Sequence, residues 1–201
     1  MAKHAVILRA CCCAFARPRN IRGGYGEVSS RMDREDPKLQ SDERITLVEF
    51  LDYQRATFLS KIAGLTHEQM NRTLPPSDLT LASLTKHLAH VEDSWFQKRF
   101  VGVEVEPWAS APFDEDPDWD LHSAQHHSPT ELVILYEAAV GRSQATLAEV
   151  TSLDEHSAEK DRREGIEYSM RWIMVHMIEE TARHNGHADF IRQSIDGLVG
   201  E

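Results

Sequence analysis

Glu180 and His184 pose the chemical question in this chain. They lie four residues apart in RWIMVHMIEETARHNGHADFIRQSIDG, residues 171–197. Ile173, Met177, Glu180, His184, Ala188, Ile191 and Ile195 follow one another in steps of three or four, the stripe of one long helix. A carboxylate and an imidazole on one inward face can hold a single metal ion together. Burying the carboxylate is costly unless it is paired or metal-bound. The same spacing also serves a polar core or a solvated face.

A third donor must come from another helix. Residues 80–101 carry Leu81, Leu84, Leu88, Val91 and Trp95 as an apolar stripe, with Thr80 as the cap. At 100° per residue, His87 falls about 60° from the middle of that stripe and His90 about 140°. His87 can therefore reach inward from the flank, and His90 is expected at the surface. Two nitrogens and one carboxylate oxygen, with positions left open, are the ligand count of a catalytic zinc site. Zinc leads, but nickel, iron(II) or manganese would accept the same donors. His176 and His187 lie near the face and can line the site, whereas Glu179 projects off it. A di-iron bundle needs Glu-x-x-His, and no Glu here has a His three residues later. No HExxH zinc motif occurs either.

Four helices are needed to position these groups. The first starts at Ser41 or Asp42 and runs to Ala63, where Gly64 stops it. A short turn follows Thr66. The second helix spans Thr80 to Val101. The connection over residues 102–128 is long, holds six acids between Glu104 and Asp118, and contains Trp108, Phe113 and Trp119. Its aromatics are expected to pack across the bundle. Calcium is not expected, because the DxDxDG pattern is absent. Loop histidines His122, His126 and His127 read as solvated. The third helix opens on Ser128-Pro129, a strong start signal. Residues 151–168 read as a polar connector, and Ser169 caps the fourth helix, which ends at Gly197. The pattern gives an all-α, four-helix bundle. Trp95 and Trp172 are expected in its core rather than as substrate walls.

Length and charge bound the rest. The chain has 201 residues, 22 Lys plus Arg and 33 Asp plus Glu. Residues 1–31 hold six basic residues and one acid, so the remainder carries 16 against 32 and a net charge of −16. Such an acidic body repels nucleic acid. No apolar run reaches the roughly 18 residues a membrane span needs. Cys11, Cys12 and Cys13 are the chain's three cysteines. A disulfide framework and a cysteine nucleophile in the body are therefore excluded. A cytoplasmic location is expected. Residues 1–40 read as a disordered basic extension and 41–198 as the folded body. Ala14-Phe15-Ala16 loosely resembles a signal cleavage site, but Arg9 interrupts the apolar stretch. Met32 directly precedes the acidic body, which keeps a start at that position open.

Two segments resemble a known family. SLTKHLAHVEDSWFQKRF (83–100) contains HL-x-x-VE-x-x-WF, and the fourth helix contains HMIEETARH-x-GHAD. Both are similar to the signature helices of the DinB/YfiT-like superfamily, closest to its DUF664 or "mini-circle protein" branch. The resemblance covers residues 40–198. It implies a bundle in up-down-down-up order and a divalent metal held by His87, Glu180 and His184. Many members have His at the position of Glu180. The Glu/His version resembles the related mycothiol-dependent maleylpyruvate isomerases. The resemblance further implies transfer of a low-molecular-weight thiol such as mycothiol to a small electrophile. Arg171 and Arg183 are candidates to attract thiol or substrate carboxylates, besides forming surface salt bridges. Relatives are often homodimers. A metal-binding or stress-response bundle without turnover is the alternative.

Overall fold

Each of the four long helices begins where a short polar side chain can satisfy its first free N–H groups. The computed structural model describes residues 34–199. Helix α1 (Glu43–Ile62) is capped by Asp42, whose carboxylate accepts from the Ile45 N–H at 2.9 Å. Helix α2 (His67–Met70) and helix α3 (Leu81–Asp93) both start with capping boxes, Thr66 with Gln69 and Thr80 with Ser83. The expected second helix does extend to Val101, but Ser94–Val101 is wound as a π-helix. Gly102 ends it at φ +83°, where a Cβ would also lie only 3.1 Å from that of Ala158.

The connection after Gly102 is short-range helical, with a 3₁₀ turn at Trp108–Ser110, helix α4 (Trp119–His122) and a further 3₁₀ turn at Ser123–His126. Helix α5 (Pro129–Glu149) opens on a third capping box, Ser128 with Glu131. Helix α6 (Met170–Asp196) is capped by Ser169 and closed by Gly197 at φ +79°.

The polar connector before α6 differs from the expected coil. Strands β1 (His156–Lys160) and β2 (Glu167–Ser169) pair as an antiparallel hairpin. Its sequence hides the strands because one residue of β1, Ser157, is buried. That hydroxyl accepts from the Tyr168 N–H at 2.9 Å, and the Tyr168 hydroxyl donates to Asp161 at 2.6 Å.

Cross-helix contacts fix the directions. Gln54 meets Asn185, and Arg192 donates to the carbonyls of Lys61 and Ala63, so α1 and α6 run parallel. Asp93 meets Arg142, and Gln97 meets Thr146, so α3 and α5 are parallel too. Between the pairs the order inverts: His87 lies by Glu180, while Trp95 lies by Trp172. This is the up-down-down-up order. Phe58, Leu81, Leu84, Leu88, Leu132 and Tyr136 fill one half of the core, and Leu51, Phe96, Met170, Ile173, Met174 and Met177 the other.

Helix α3 is the hub of the buried polar contacts. Glu92 forms a two-pronged pair with Arg55 of α1, at 2.7 and 2.6 Å, with both side chains almost fully buried. Its neighbour Asp93 accepts from Arg142 of α5 and from the Trp108 indole at 2.7 Å. Charges so placed are tolerated only when paired and hydrogen-bonded. Up to residue 33, the expected basic extension lies outside the described residues. Residues 34–40 form no helix or strand, and Arg34 and Lys38 tie them to α1 through Thr57 and Glu49.

Candidate metal centre

Three donors converge where α3 crosses the middle of α6. His87, Glu180 and His184 each offer a ligand atom, all within 4.8 Å of one another. The Glu180 Oε1 lies 3.1 Å from His184 Nε2 and 3.6 Å from His87 Nε2. Donors sharing one ion at about 2.1 Å sit roughly 3.0–3.5 Å apart, so the spacing suits a small divalent cation. The two imidazole rings stand 5.0 Å apart and nearly perpendicular, at 73°. The side chains are 24%, 20% and 12% exposed, which leaves one side of the cluster open to a further ligand.

The outer nitrogen of each ring is also held. Asp120 of α4 accepts from His87 Nδ1 at 2.8 Å, which leaves Nε2 facing Glu180. His187 Nδ1 lies 3.4 Å from His184 Nδ1. Such outer contacts fix ring orientation and tautomer in metal sites. Without an ion the cluster holds a proton instead. Burial disfavours a charged His87, but hydrogen bonds to Asp120 and Glu180 outweigh it and push the imidazole up to about 9. Hydrogen bonds from His184 and then His87 hold the Glu180 carboxyl well below the usual carboxylate range. For Asp120, burial works the other way and is outweighed by His87 and His90, again leaving a low value. The constellation is shaped for positive charge.

Residues 46–197 match the family model described as mycothiol-S-transferase. The chain belongs to that family. It is a DinB-like family, in keeping with the helical order above. Among solved structures, this family member is similar to a conserved protein from Enterococcus faecalis, with a TM-score of 0.54. That match is 18% identical and covers 79% of this chain and 100% of the other, a likeness of fold. No curated protein sequence matches significantly.

Sequence spacing missed two residues beside the donors. Asp120 lies in the connection, 33 residues from His87, where no periodicity could link them. Lys86 is fully buried, with its ammonium 2.6 Å from the Ser123 hydroxyl and 3.8 Å from the centre of the Trp119 ring. Burial pulls it down to about 8, against the attraction of Asp120.

His90 differs from the expectation of a surface side chain. Its ring packs 4.9 Å from Trp108 and 4.7 Å from Phe113, and its Nδ1 reaches Asp120 at 3.2 Å. The connection folds over the outer flank of α3, which a helical projection treats as solvent. Trp172 differs in the other direction, being 48% exposed. Arg171 pairs with Glu43 and Asp154, and Arg183 with Glu179, at exposed positions.

Proposed function

We propose that this family member is a divalent-metal-dependent S-transferase that joins a low-molecular-weight thiol of the mycothiol type to a small electrophile. The observation that carries the reading is the meeting of His87 Nε2, Glu180 Oε1 and His184 Nε2 on an open side of the bundle. The family description supports thiol chemistry. Residues 34–199 contain no cysteine, so the reacting sulfur has to arrive with a cosubstrate.

His87, Glu180 and His184 would hold the ion, with zinc the first choice for this donor set. A bound divalent ion lowers the pKa of a coordinated thiol, so thiolate is available at neutral pH. Asp120 keeps the His87 proton on Nδ1 and leaves Nε2 free to bind. His187 braces His184 from behind. Glu180 lowers the net charge that two neutral imidazoles alone would leave at the site. In the transfer the S–H proton passes to solvent and the sulfur bonds to the electrophilic carbon, which either releases its leaving group with the bonding pair or, in an activated double bond, passes its π pair to the neighbouring atom, where a proton is taken up. Arg171 and Arg183 would attract anionic groups at the rim only by exchanging their present carboxylate partners. Assembly as a homodimer in the cytoplasm belongs to the same reading.

Elemental analysis of the purified chain and of His87→Ala and Glu180→Ala tests the site, and a thiol-consumption assay with mycothiol and an electrophile panel tests the reaction. Stoichiometric metal in the wild type, its loss in both variants and metal-dependent thiol consumption are expected. Full occupancy in both variants refutes the site. Bound metal without accelerated thiol consumption supports a metal-binding bundle without turnover.

A further inference from the structure

Next to the metal cluster, the same two helices carry an aromatic shelf. His176 lies one turn before Glu180 on α6, about 6 Å along the axis, and Trp172 lies two turns before it, about 12 Å. Trp95 faces them from the π-helical end of α3. The Trp95 ring centre is 4.5 Å from that of His176, 5.3 Å from Trp172 and 5.1 Å from Tyr168. Trp172 and His176 are stacked, with 5.1 Å between centres and 15° between planes. Trp172 is 48% exposed and the His176 side chain 25%, so the shelf is open to solvent.

The shelf also has a cation. The Arg99 guanidinium lies over the Trp95 ring, 4.4 Å from its centre. Its Nη1 donates to the Ser94 hydroxyl. Among the described residues, no carboxylate forms a salt bridge with it. In a body this acidic, an arginine held on an aromatic face and left without a carboxylate is a ready anion anchor. Two acids touch the shelf, and each has a partner: Asp161 accepts from the Tyr168 hydroxyl at 2.6 Å, and Glu179, 3.8 Å from His176 Nδ1, pairs with Arg183.

We propose that this shelf seats the electrophile, and that the electrophile is a flat aromatic molecule bearing an anionic group. The ring stacks on Trp172 and His176 against the edge of Trp95. The anionic group pairs with Arg99 at the far end from Glu180. The other end of the ring then points along α6 to the cluster one turn away. Stacking supplies affinity without fixing the ring's substituents, and Arg99 supplies orientation. Where the molecule reacts rests on the transfer reading, but its binding does not.

The probe is 3,5-dinitrobenzoate, with 1,3-dinitrobenzene as its uncharged counterpart. Binding is measured by titration calorimetry on the full chain, both metal-loaded and chelator-treated. Dinitrobenzoate is expected to bind more tightly than dinitrobenzene, and chelation is expected to change neither affinity much. Trp172→Ala should weaken both about three- to tenfold. Arg99→Gln should weaken dinitrobenzoate about tenfold and leave dinitrobenzene unchanged, removing the preference for the anion. His176→Phe keeps a stacking ring and should retain both ligands. Melting curves confirm that each variant is folded.

Absence of dinitrobenzoate binding to the wild type overturns the proposal. So does an unchanged affinity in Trp172→Ala, or a preference for the anion that survives Arg99→Gln. If sedimentation shows a dimer that Trp172→Ala dissociates, the shelf is a subunit contact, which also overturns it. Binding as expected in a protein that consumes no thiol would refute the transfer reading and leave the shelf standing.

Discussion

Replacing Asp120 by Asn isolates the contribution of one buried carboxylate to the proposed metal site. Asp120 is 5% exposed and serves two rings, at 2.8 Å from His87 Nδ1 and 3.2 Å from His90 Nδ1. Asparagine preserves the shape and removes the charge. Its single acceptor oxygen can serve one ring, and its amide group then donates toward the other. When the amide faces His87, the imidazole proton is driven to Nε2, the nitrogen that should bind the ion. Outer-sphere carboxylates of this kind are worth about 10- to 100-fold in metal affinity, or roughly 1.4–2.7 kcal/mol. The assay is zinc competition against a chromophoric chelator at fixed pH. Heteronuclear NMR of the His87 ring in the zinc-free proteins at pH 10, above the value of about 9 at which the wild-type ring loses its extra proton, should show the Nδ1–H tautomer in wild type and the Nε2–H tautomer appearing in Asp120→Asn. His90→Phe is the control, because it keeps the stack on Trp108 and Phe113 and leaves Asp120 to His87. Its affinity should stay within about threefold of wild type. An Asp120→Asn protein that binds zinc as tightly as wild type, while His87→Ala binds none, would refute the reasoning.

Further outcomes follow from buried charge. Glu92→Gln leaves buried Arg55 with only the part-exposed Asp52, 2.9 Å away, as its carboxylate partner and should cost about 3 kcal/mol in urea unfolding, whereas Arg55→Met with Glu92→Leu should recover most of it. In the metal-free protein the His87 value is raised from 6.5 to about 9. Its stabilisation is therefore complete below pH 6.5 and is lost as pH climbs through 9, about 3 kcal/mol in all, so melting temperature should fall across that window. A divalent ion must displace the same proton, so chelator competition should show affinity rising with pH up to about 9. Lys86 moves the opposite way, from 10.5 to about 8. Folding carries its desolvation cost below pH 8 and is relieved of it as pH rises toward 10.5. Lys86→Met should therefore be more stable than wild type by about 1–2 kcal/mol at pH 7, after losing the Ser123 hydrogen bond and the Trp119 contact, with the gap closing by pH 10 in paired melts.

The helices were legible because their start and stop signals are local. Asp42, Thr80, Ser128 and Ser169 cap the elements they precede, and Gly197 closes α6. The 3.6-residue period brought Glu180 and His184 to one face and selected His87 over His90 as the inward ring. What periodicity could not express was the course of the 27-residue connection over residues 102–128. Asp120 and the cover over His90 both come from it, and both depend on where a non-repeating segment lands in space. The hairpin at residues 156–169 was hidden for a related reason. Its register is held by Ser157, Asp161 and Tyr168 rather than by alternating apolar residues. Lys86 sits on the buried face in a sequence position that charge alone assigns to solvent. Trp172 packs against Trp95 and Tyr168 with one part of its ring and stays 48% exposed, a division that spacing alone does not give.

The donors are divided between a helix in the first half of the chain and the last helix. A nascent chain emerging from the ribosome offers His87 first, and Glu180 follows only 93 residues later, with His184 behind it. Until then an ion finds one imidazole and no chelate. On the proposed metal reading, loading waits for α6 to emerge, and any product truncated before α6 is left unmetallated.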